Sequence, residues 1–501
     1  MERKRCIIPV VFPRRFWIPA LLSALLLAGA AVFLLTRGDD GTVKPGAALL
    51  TASQGLTEYR ATLRMDPEAG TLAISETVDY VNATGESLND LSLRLWINAF
   101  KKEETSPASL EEIYDACYFA GFSPGGMTVY DVLWNGERVD FAFSNEDETA
   151  LRFAIPTLLP GERGTLLFRG VAQIPQCAYR TGRTEGIWQL GNVIPLMAHW
   201  ENGEWRQDAY APIGDPFVSD CANFDLSVYV PEGWTPACSA PLKKKADGLW
   251  QGTILAARDA ALCLYENGKT AKARLGDTLI LSYAAGEEAA RAALKYGKKA
   301  LETFSSLYGP YPYPVYTLCQ TDFPFGGMEY PALSMIGKSL YAGDKRETLE
   351  LTVAHETAHQ WFYALVGSDQ ALSPWQDEAL CEYAMLRYVQ KCYGQGSFDT
   401  LKYYRADAPM AEGVSGSLTP GSPISYFSNF TDYRTVVYGR GAALLLALDE
   451  FLPGGTDAFL KAYVQAFSFG YVTRARFEAF LNRFSGLDAG PLLLDYLDTV
   501  M

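Results

Sequence analysis

The sequence predicts an α+β fold in which a β-rich N-terminal part is followed by a mainly helical C-terminal part. At 501 residues, the chain is too long for one hydrophobic core, so two globular domains are expected. Between residues 57 and 286, short runs of alternating apolar residues are separated by turn residues, which is typical of antiparallel strands. From Glu287 onward, apolar residues recur at helical spacing.

The β-rich part begins with two segments that alternate as strands do. Residues 59–65 and 72–81 place apolar side chains at every second position. Farther along, Asn135-Gly136 separates two apolar runs and predicts a tight hairpin turn. We therefore expect a domain over residues 57–286 built from short strands and turns.

The helical part opens with a helix that begins at Glu287 and is broken by Gly309-Pro310. Two short apolar runs, at residues 315–319 and 333–336, are predicted as strands. The remainder of the chain is expected to be mainly helical, so the second domain spans residues 287–501.

The chain has only three histidines, and two of them stand four residues apart, at His355 and His359. Residues i and i+4 share one face of a helix, so both imidazoles can reach a single metal ion. Glu356 lies between them, which is the arrangement of a zinc peptidase with two ligands and a general base. The alternative is a buried helix that carries two hydrogen-bonded histidines.

A second helix can supply the third ligand that catalytic zinc requires, leaving the fourth position to water. Residues 375–393 predict such a helix, which ends near Gly394. Glu378 stands near its start and can complete a His-His-Glu site. Glu382, one turn later, can accept the outward N–H of a ligand histidine. Without the two-histidine motif upstream, a solvated helix face would be the preferred interpretation of both glutamates.

These residues resemble the gluzincin aminopeptidases, the family of aminopeptidase N and leukotriene hydrolase. In that family a glutamate follows the two-histidine helix after eighteen intervening residues, within a segment that begins with tryptophan. His359 and Glu378 have that spacing, and Trp375 precedes the glutamate in the same way. The resemblance implies one Zn²⁺ ion bound by His355, His359 and Glu378, with Glu356 as the catalytic base.

An upstream segment resembles the family's Gly-x-Met-Glu-Asn strand, which binds the substrate. The resemblance implies that Glu329 binds the free α-amino group of the substrate and that Gly326, Gly327 and Met328 contribute to substrate binding. The fifth residue is Tyr330, where the family has asparagine.

A downstream segment, residues 433–441, resembles the family's segment with the catalytic tyrosine. Tyr438 matches the tyrosine that stabilises the tetrahedral intermediate, and Tyr433 matches a neighbour five residues earlier. The N-terminal half is similar to the family's saddle domain. The resemblance therefore implies a β-rich saddle or sandwich domain over residues 57–286, followed by a thermolysin-like catalytic domain over residues 287–501.

The expected function is that of a zinc metallopeptidase, an aminopeptidase that releases N-terminal residues from extracytoplasmic peptides. The family often uses a second polar residue of the β domain to bind the substrate ammonium, and Gln173, Gln176 and Glu185 are candidates. The family's further helical domain is not found before Met501, so a more open cleft is expected. Two alternatives stay open: a zinc endopeptidase, and a non-catalytic membrane-anchored binding protein on a peptidase fold.

The N-terminus predicts a membrane anchor. Residues 16–35 are uncharged, mostly apolar and about long enough to span a bilayer, with basic residues before them. The expected organisation is a cytoplasmic tail at 1–15, a transmembrane signal anchor at 16–36 and a linker at 37–56. The catalytic domain would then lie outside the cell membrane. A cleaved signal peptide is the alternative, because Ala28-Gly29-Ala30 is a triplet of small residues.

The charge and the cysteines narrow the range of partners. The net charge of −15 disfavours nucleic acid and anionic membrane surfaces as partners. Nine cysteines are scattered without a Cys-x-x-Cys pair, which gives no support to zinc binding by cysteine. Disulfide pairing, oligomeric state and the preferred N-terminal residue of the substrate stay open.

Overall fold

The computed structural model describes residues 43–500, and it has the predicted α+β architecture. Strands dominate up to residue 284, and helices dominate from residue 287 onward. Strands β1 to β18 are Glu58–Asp66, Thr71–Val81, Leu88–Arg94, Gly126–Trp134, Glu137–Arg138, Phe141–Phe143, Ala150–Leu158, Arg163–Gln173, Thr181–Thr184, Ile187–Leu190, Leu196–Met197, Trp200–Glu201, Glu204–Trp205, Ala222–Tyr229, Trp234–Cys238, Lys243–Ala246, Leu249–Ala257 and Leu262–Glu266.

The later strands and the helices form the second half of the described chain. Strands β19 to β25 are Lys269–Leu275, Thr278–Ala284, Val315–Thr321, Gly327–Tyr330, Leu333–Gly337, Gly367–Ser368 and Tyr471–Val472. Helices α1 to α12 are Ala47–Ala52, Tyr114–Cys117, Glu287–Tyr308, Arg346–Ala358, Trp375–Tyr393, Gln395–Lys402, Ala408–Ala411, Phe430–Tyr433, Gly441–Phe451, Gly455–Phe467, Arg474–Ser485 and Gly490–Leu497. Short 3₁₀ turns are Trp96–Lys101, Glu103–Thr105, Pro107–Ser109, Lys338–Tyr341 and Ile424–Tyr426, and π-helical turns are Gln360–Leu365, Tyr403–Asp407 and Arg434–Arg440.

Three larger sheets and the two-stranded sheet β12-β13 build the β-rich domain. The largest has eight strands in the order β16-β17-β14-β1-β2-β8-β4-β5, and two four-stranded sheets have the orders β15-β18-β10-β9 and β11-β3-β7-β6. Strand β2 buries every second side chain, as its alternating sequence predicts. The predicted hairpin joins β4 to β5, and Asn135 and Gly136 have φ angles of 52° and 87°, which a tight two-residue turn requires.

A five-stranded sheet, in the order β19-β20-β21-β23-β22, underlies the helical half. Strands β19 and β20 precede the predicted domain boundary at residue 286, yet β20 pairs in parallel with β21 beyond it. Sheet pairing therefore places the start of the second domain near residue 269. Alternation along a sequence indicates a strand but not the sheet that the strand joins.

Among the described strands, β22 lies at the edge of this sheet and pairs with β23 alone, in antiparallel fashion. The helix α4 lies next to both strands, and α5 packs against α4. Pro374 precedes α5, and Gly394, with a φ of 85°, ends it, so the helix has the predicted bounds. The strand that resembles a substrate-binding motif is thus brought beside the helix that carries the two histidines.

The two domains are joined by buried polar contacts. Arg258 of the β-rich domain donates from Nε to the carbonyl of Tyr363 at 2.9 Å. A Cβ atom on Gly367 would lie 2.2 Å from the guanidinium of Arg258, so glycine is needed at this approach. In the other direction, the hydroxyl of Tyr313 donates to the carbonyl of Ala256 at 2.9 Å.

Part of the predicted linker, residues 37–56, is folded, which corrects that expectation. Residues 47–52 form α1, and Leu49 is buried. Alanine and leucine favour the helix, and the β-rich domain offers an apolar surface for Leu49, which the sequence does not reveal. The predicted anchor at 16–36 lies outside the described residues. Within residues 43–500, no helix combines the length and the apolar character needed to cross a membrane.

Candidate active site

The two histidines lie at the C-terminal end of α4, and their Nε2 atoms are 3.2 Å apart. Oε2 of Glu378, in the first turn of α5, lies 3.1 Å from Nε2 of His355 and 3.5 Å from Nε2 of His359. Metal–ligand bonds of about 2.0–2.1 Å in a tetrahedral site separate the ligand atoms by about 3.3–3.4 Å. These three atoms therefore have the spacing of one face of a tetrahedral zinc site.

A carboxylate stands behind each histidine. Oδ1 of Asp377 lies 2.7 Å from Nδ1 of His359, and Oε2 of Glu382 lies 3.2 Å from Nδ1 of His355. Such carboxylates accept the Nδ1–H and turn the Nε2 lone pair toward a metal. The sequence predicted Glu382 in this position but not Asp377. The available signal for Asp377 was its place beside Glu378 at the start of the helix.

This arrangement fits a cation. Once both Nδ1 protons are donated to carboxylates, the two Nε2 atoms and the Glu378 carboxylate face one another as acceptors, with no proton between them. Three converging electron pairs repel one another in a buried site, whereas a divalent cation satisfies all three. His355, His359 and Glu378 also form a group whose ligand atoms all lie within 4.8 Å of one another.

Glu356 lies between the two histidines on α4 and faces the strand β22. A Cβ atom on Gly327 would lie 2.5 Å from the carboxyl carbon of Glu356, so this carboxyl rests directly against the backbone of the strand. Burial raises the pKa of Glu356 to about 7, against the opposing effect of the nearby histidines. A carboxyl with a pKa near neutrality can both accept and return a proton.

The strand β22 brings Glu329 to the same cavity, which has a volume of about 430 Å³. Gly326, Gly327 and Met328 also line this cavity. Glu329 is 3% exposed, and its Oε1 has no hydrogen-bond partner among residues 43–500. A buried carboxyl oxygen without a partner is an available acceptor for a donor that enters the cavity.

Tyr438 lies on the π-helical turn Arg434–Arg440 and also lines the cavity. Its ring stacks on the imidazole of His355, with the ring centroids 5.6 Å apart. Burial raises the pKa of Tyr438, and the charge of Glu378 raises it further. The phenol therefore keeps its proton and can donate a hydrogen bond. Tyr433 is buried, with its ring centroid 5.7 Å from that of Tyr438.

Two residues of the β-rich domain reach this cavity without having been predicted. Arg180 and Asp215 line it, form an ion pair with each other and are 5% and 7% exposed. A sequence signal existed for Asp215, since an acidic residue stands between Gly214 and Pro216 in an otherwise apolar segment.

The three candidates for a second ammonium-binding residue lie elsewhere. Gln173 and Gln176 are exposed, and Nε2 of Gln173 donates to the carbonyl of Gly70 at 3.2 Å. Glu185 is exposed in the turn between β9 and β10. None of the three lines the cavity, because all three side chains are exposed to solvent elsewhere on the β-rich domain.

A family model and several known proteins match this chain. Residues 292–496 match the Peptidase family M1 domain. Over 195 residues the chain is 31% identical to leukotriene A-4 hydrolase of Xenopus laevis, an alignment that covers 37% of this chain and 31% of the relative. Over 405 residues it is 24% identical to aminopeptidase N of Streptomyces lividans, which covers 74% and 45%. The matches thus span less than half the length of these relatives.

Solved structures share the fold. An M1 zinc metallopeptidase from Deinococcus radiodurans superposes with a TM-score of 0.60 at 20% identity, covering 89% of this chain and 94% of that one. Native yeast LTA4 hydrolase superposes with a TM-score of 0.61 at 15% identity, covering 89% and 68%. The family implies one zinc ion, which fits the ligand triangle described above. The chain therefore carries a peptidase family M1 domain over residues 292–496, in agreement with its resemblance to the gluzincin zinc aminopeptidases.

Proposed function

We propose that this chain is a zinc-dependent metallopeptidase, an aminopeptidase that releases N-terminal residues from peptides. The observation that carries the proposal is the meeting of four functions in one cavity of about 430 Å³. These are a metal-ligand triangle, a candidate base at Glu356, a phenol donor at Tyr438 and an available carboxyl at Glu329. No one of them specifies a peptidase, but together they supply each group that peptide hydrolysis needs.

His355, His359 and Glu378 would hold the zinc ion. When bound, the ion supplies Lewis-acid activation of water and of the scissile carbonyl. Glu356 accepts the proton of the attacking water on a carboxyl oxygen and passes it to the nitrogen of the leaving amine. Its position against β22 keeps it beside any peptide that lies along that strand.

Tyr438 acts on the carbonyl oxygen of the bond to be cleaved. Its hydroxyl stays protonated because burial raises its pKa, so it can donate a hydrogen bond as this oxygen gains negative charge. A donor held in place before the reaction stabilises the transition state more than the ground state, because the charge is larger there.

Glu329 sets the direction of the substrate. Its buried carboxyl would pair with the α-ammonium of a peptide and so place the first peptide bond over the metal position. The strand β22 lies at the edge of its sheet, and an edge strand offers backbone groups to an extended peptide. Among the related structures, a variant of the Deinococcus radiodurans peptidase is bound to a Tyr-Ser-Ala substrate, which supports short peptides as the substrate class.

The test compares a peptide with a free amino terminus and the same peptide with an acetylated one. Zinc-loaded protein should hydrolyse the free peptide with a kcat/KM at least tenfold higher. Only the free peptide can pair its α-ammonium with Glu329, and a contact worth about 1.4 kcal/mol gives a factor of ten. Equal rates would refute N-terminal selection and favour a zinc endopeptidase. Full zinc loading with no turnover of either peptide would favour a non-catalytic binding protein.

We also propose that the chain is a single-pass protein of the cell membrane with its catalytic domain outside. The supporting pattern is the apolar run at residues 16–35 with basic residues before it. The protein should stay with the membrane pellet after alkaline washing, and protease added to intact cells should degrade its catalytic domain. Release into the wash, or a processed N-terminus beyond residue 30, would instead indicate a cleaved signal peptide.

A further inference from the structure

We propose that Tyr330 is a positioning residue for recognition of the substrate's amino terminus, because its hydroxyl fixes the strand that carries Glu329 to Asn192 of the β-rich domain. This role presupposes the aminopeptidase function proposed above. Tyr330 follows Glu329 in the strand, but unlike Glu329 it does not line the cavity.

A chain of hydrogen bonds joins the strand to the other domain. The hydroxyl of Tyr330 donates to Oδ1 of Asn192 at 2.9 Å. Nδ2 of Asn192 then donates to Oδ2 of Asp259 at 3.0 Å, and Oδ1 of Asp259 accepts from the backbone N–H of Ala260 at 2.6 Å. Tyr330, Asn192 and Asp259 are all at most 2% exposed. Water is thus kept from a network in which each partner is satisfied by the next.

The backbone around Asn192 is shaped to receive this phenol. A Cβ atom on Gly191 would lie only 1.8 Å from the hydroxyl oxygen of Tyr330, so no other residue fits there without moving the ring. Asn192 has a φ of 54°, in the left-handed region that asparagine tolerates better than most residues. The backbone N–H of Gly191 also donates to the carbonyl of Arg180 at 3.0 Å, and Arg180 lines the cavity.

The backbone of the strand is held from the opposite direction. Gln360, the residue after the ligand His359, donates from Nε2 to the carbonyl of Tyr330 at 3.0 Å. Its Oε1 accepts the backbone N–H of Ala332 at 2.8 Å. The metal-bearing segment therefore holds the main chain, while the β-rich domain holds the side chain.

The hydrogen bonds of Asn192 and Gln360 to this strand matter because β22 is an edge strand. Its ladder with β23 fixes it on one side only. The remaining freedom is a sideways shift toward or away from the cavity, and the bonds of Tyr330 restrict that shift. The bonds of Tyr330 therefore help to fix the place of the neighbouring Glu329 carboxyl in the cavity.

The main test removes only the hydroxyl, with the substitution Tyr330→Phe. The readout is the ratio of kcat/KM for a free-amine peptide to that for its des-amino analogue, which lacks only the α-amino group. We expect this ratio to fall about five- to tenfold, the factor for losing one neutral hydrogen bond. The fall should appear in KM for the free-amine peptide, with kcat within about twofold of the wild type.

A matched control is available in Tyr313→Phe. Tyr313 is also buried and also spans the two domains, through a hydrogen bond of the same 2.9 Å length to Ala256. Its hydroxyl donates to Ala256 and forms no hydrogen bond that holds β22, so its loss should lower the unfolding temperature without changing the ratio. A purely structural role for Tyr330 predicts that both variants behave alike.

A second variant keeps the inference testable if Tyr330→Phe does not fold. Asn192→Gly removes the amide from the other side of the bond and keeps a residue that accepts a positive φ. It should give the same fall in ratio, and the double variant should lose no more than either single variant. An unchanged ratio in folded Tyr330→Phe or Asn192→Gly would overturn the inference. A wild-type ratio near one would instead overturn the proposed aminopeptidase function, and it is measured first.

Discussion

Glu356 is buried, yet its carboxyl must be ionised to act as the proposed base. Burial raises its pKa to about 7, and the neighbouring histidines oppose that rise. Positive charge at the ligand triangle therefore favours the carboxylate, the form that accepts a proton. The same residue binds no metal in the proposed arrangement, so its chemistry can be separated from zinc binding by experiment.

The substitution Glu356→Gln should leave zinc bound and remove hydrolysis. Glutamine keeps the shape of the side chain but has no basic oxygen, so turnover should fall about 10²–10⁴-fold, the typical contribution of general acid–base catalysis. Metal analysis should still give about one zinc per chain. Loss of the metal, or substantial residual turnover, would show that Glu356 has another role.

Tyr438 acts later along the reaction coordinate, so its removal should affect a different kinetic constant. Tyr438→Phe should lower kcat about 10²–10³-fold with little change in KM, because one oxyanion donor is lost and ground-state contacts remain. Steady-state kinetics on a free peptide measures this. Tyr426→Phe, at a side chain that is 69% exposed, serves as the control and should match the wild type. A rise in KM alone would assign Tyr438 to substrate binding.

At the scale of elements, two helices assemble the metal site from opposite ends. The helix α4 delivers its histidines at its C-terminal end, where a π-helical turn follows and Phe362 leaves helical φ/ψ angles. The helix α5 delivers Asp377 and Glu378 on its first turn, where carboxylates also interact favourably with the helix dipole. Packing of α4 against α5 therefore sets the distances between the ligand atoms.

Weakening the contact between these helices should weaken zinc binding. Asp377→Asn removes the charge that accepts the Nδ1–H of His359, so zinc affinity should fall about 10–100-fold. Competition with a chelator of known affinity measures the change, and activity should return at saturating zinc. Asp399→Asn, at an exposed aspartate of the next helix, should leave the affinity unchanged. Equal affinity in Asp377→Asn would mean that Asp377 has no part in holding the imidazole.

On the scale of the whole molecule, two buried carboxyls in the β-rich domain link stability to pH. Glu76 is fully buried, and neither of its oxygens has a hydrogen-bond partner among the described residues. Burial raises its pKa well above the ordinary value, and the charge of Asp259 raises it further. Burial also raises the pKa of Asp259 to about 7, against the hydrogen bonds of Ala260 and Asn192.

The sign of this linkage follows from proton binding. Both folded-state pKa values exceed the values of about 4 expected in the unfolded chain. The folded state therefore binds more protons than the unfolded chain above about pH 4. The stability from both groups is present below that pH; the part from Asp259 is lost as the pH rises through about 7, and the part from Glu76 is lost as the pH rises through its own raised pKa. Glu76→Gln mimics the protonated carboxyl, so it should raise the denaturant midpoint at pH 8 and change it little at pH 5.

Denaturant titrations of both proteins at the two pH values test this expectation. Glu68→Gln, at an exposed glutamate in the turn between β1 and β2, is the matched control and should give no pH-dependent difference. If Glu76→Gln changed the midpoint equally at pH 5 and pH 8, Glu76 would not be the titrating group.

The sequence by itself determined what depends on short spacing. The four-residue interval between His355 and His359 places both on one helix face, and Pro374 and Gly394 bound the second helix, because helical geometry and end signals act over a few residues. The turn at Asn135-Gly136 was predictable for the same reason. The zinc-ligand set followed from these local elements together with the family resemblance.

Only the tertiary structure decided which distant residues meet. Tyr330 and Asn192 are 138 positions apart, and the pairing of β20 with β21 assigned strands near residue 269 to the second domain. Asp215 and Arg180 reached the cavity through the same packing of one domain on the other, and Leu49 became buried because an apolar surface was present. Such contacts depend on how sheets and helices pack around shared cores. A local pattern of residue types does not specify which distant residues it will contact.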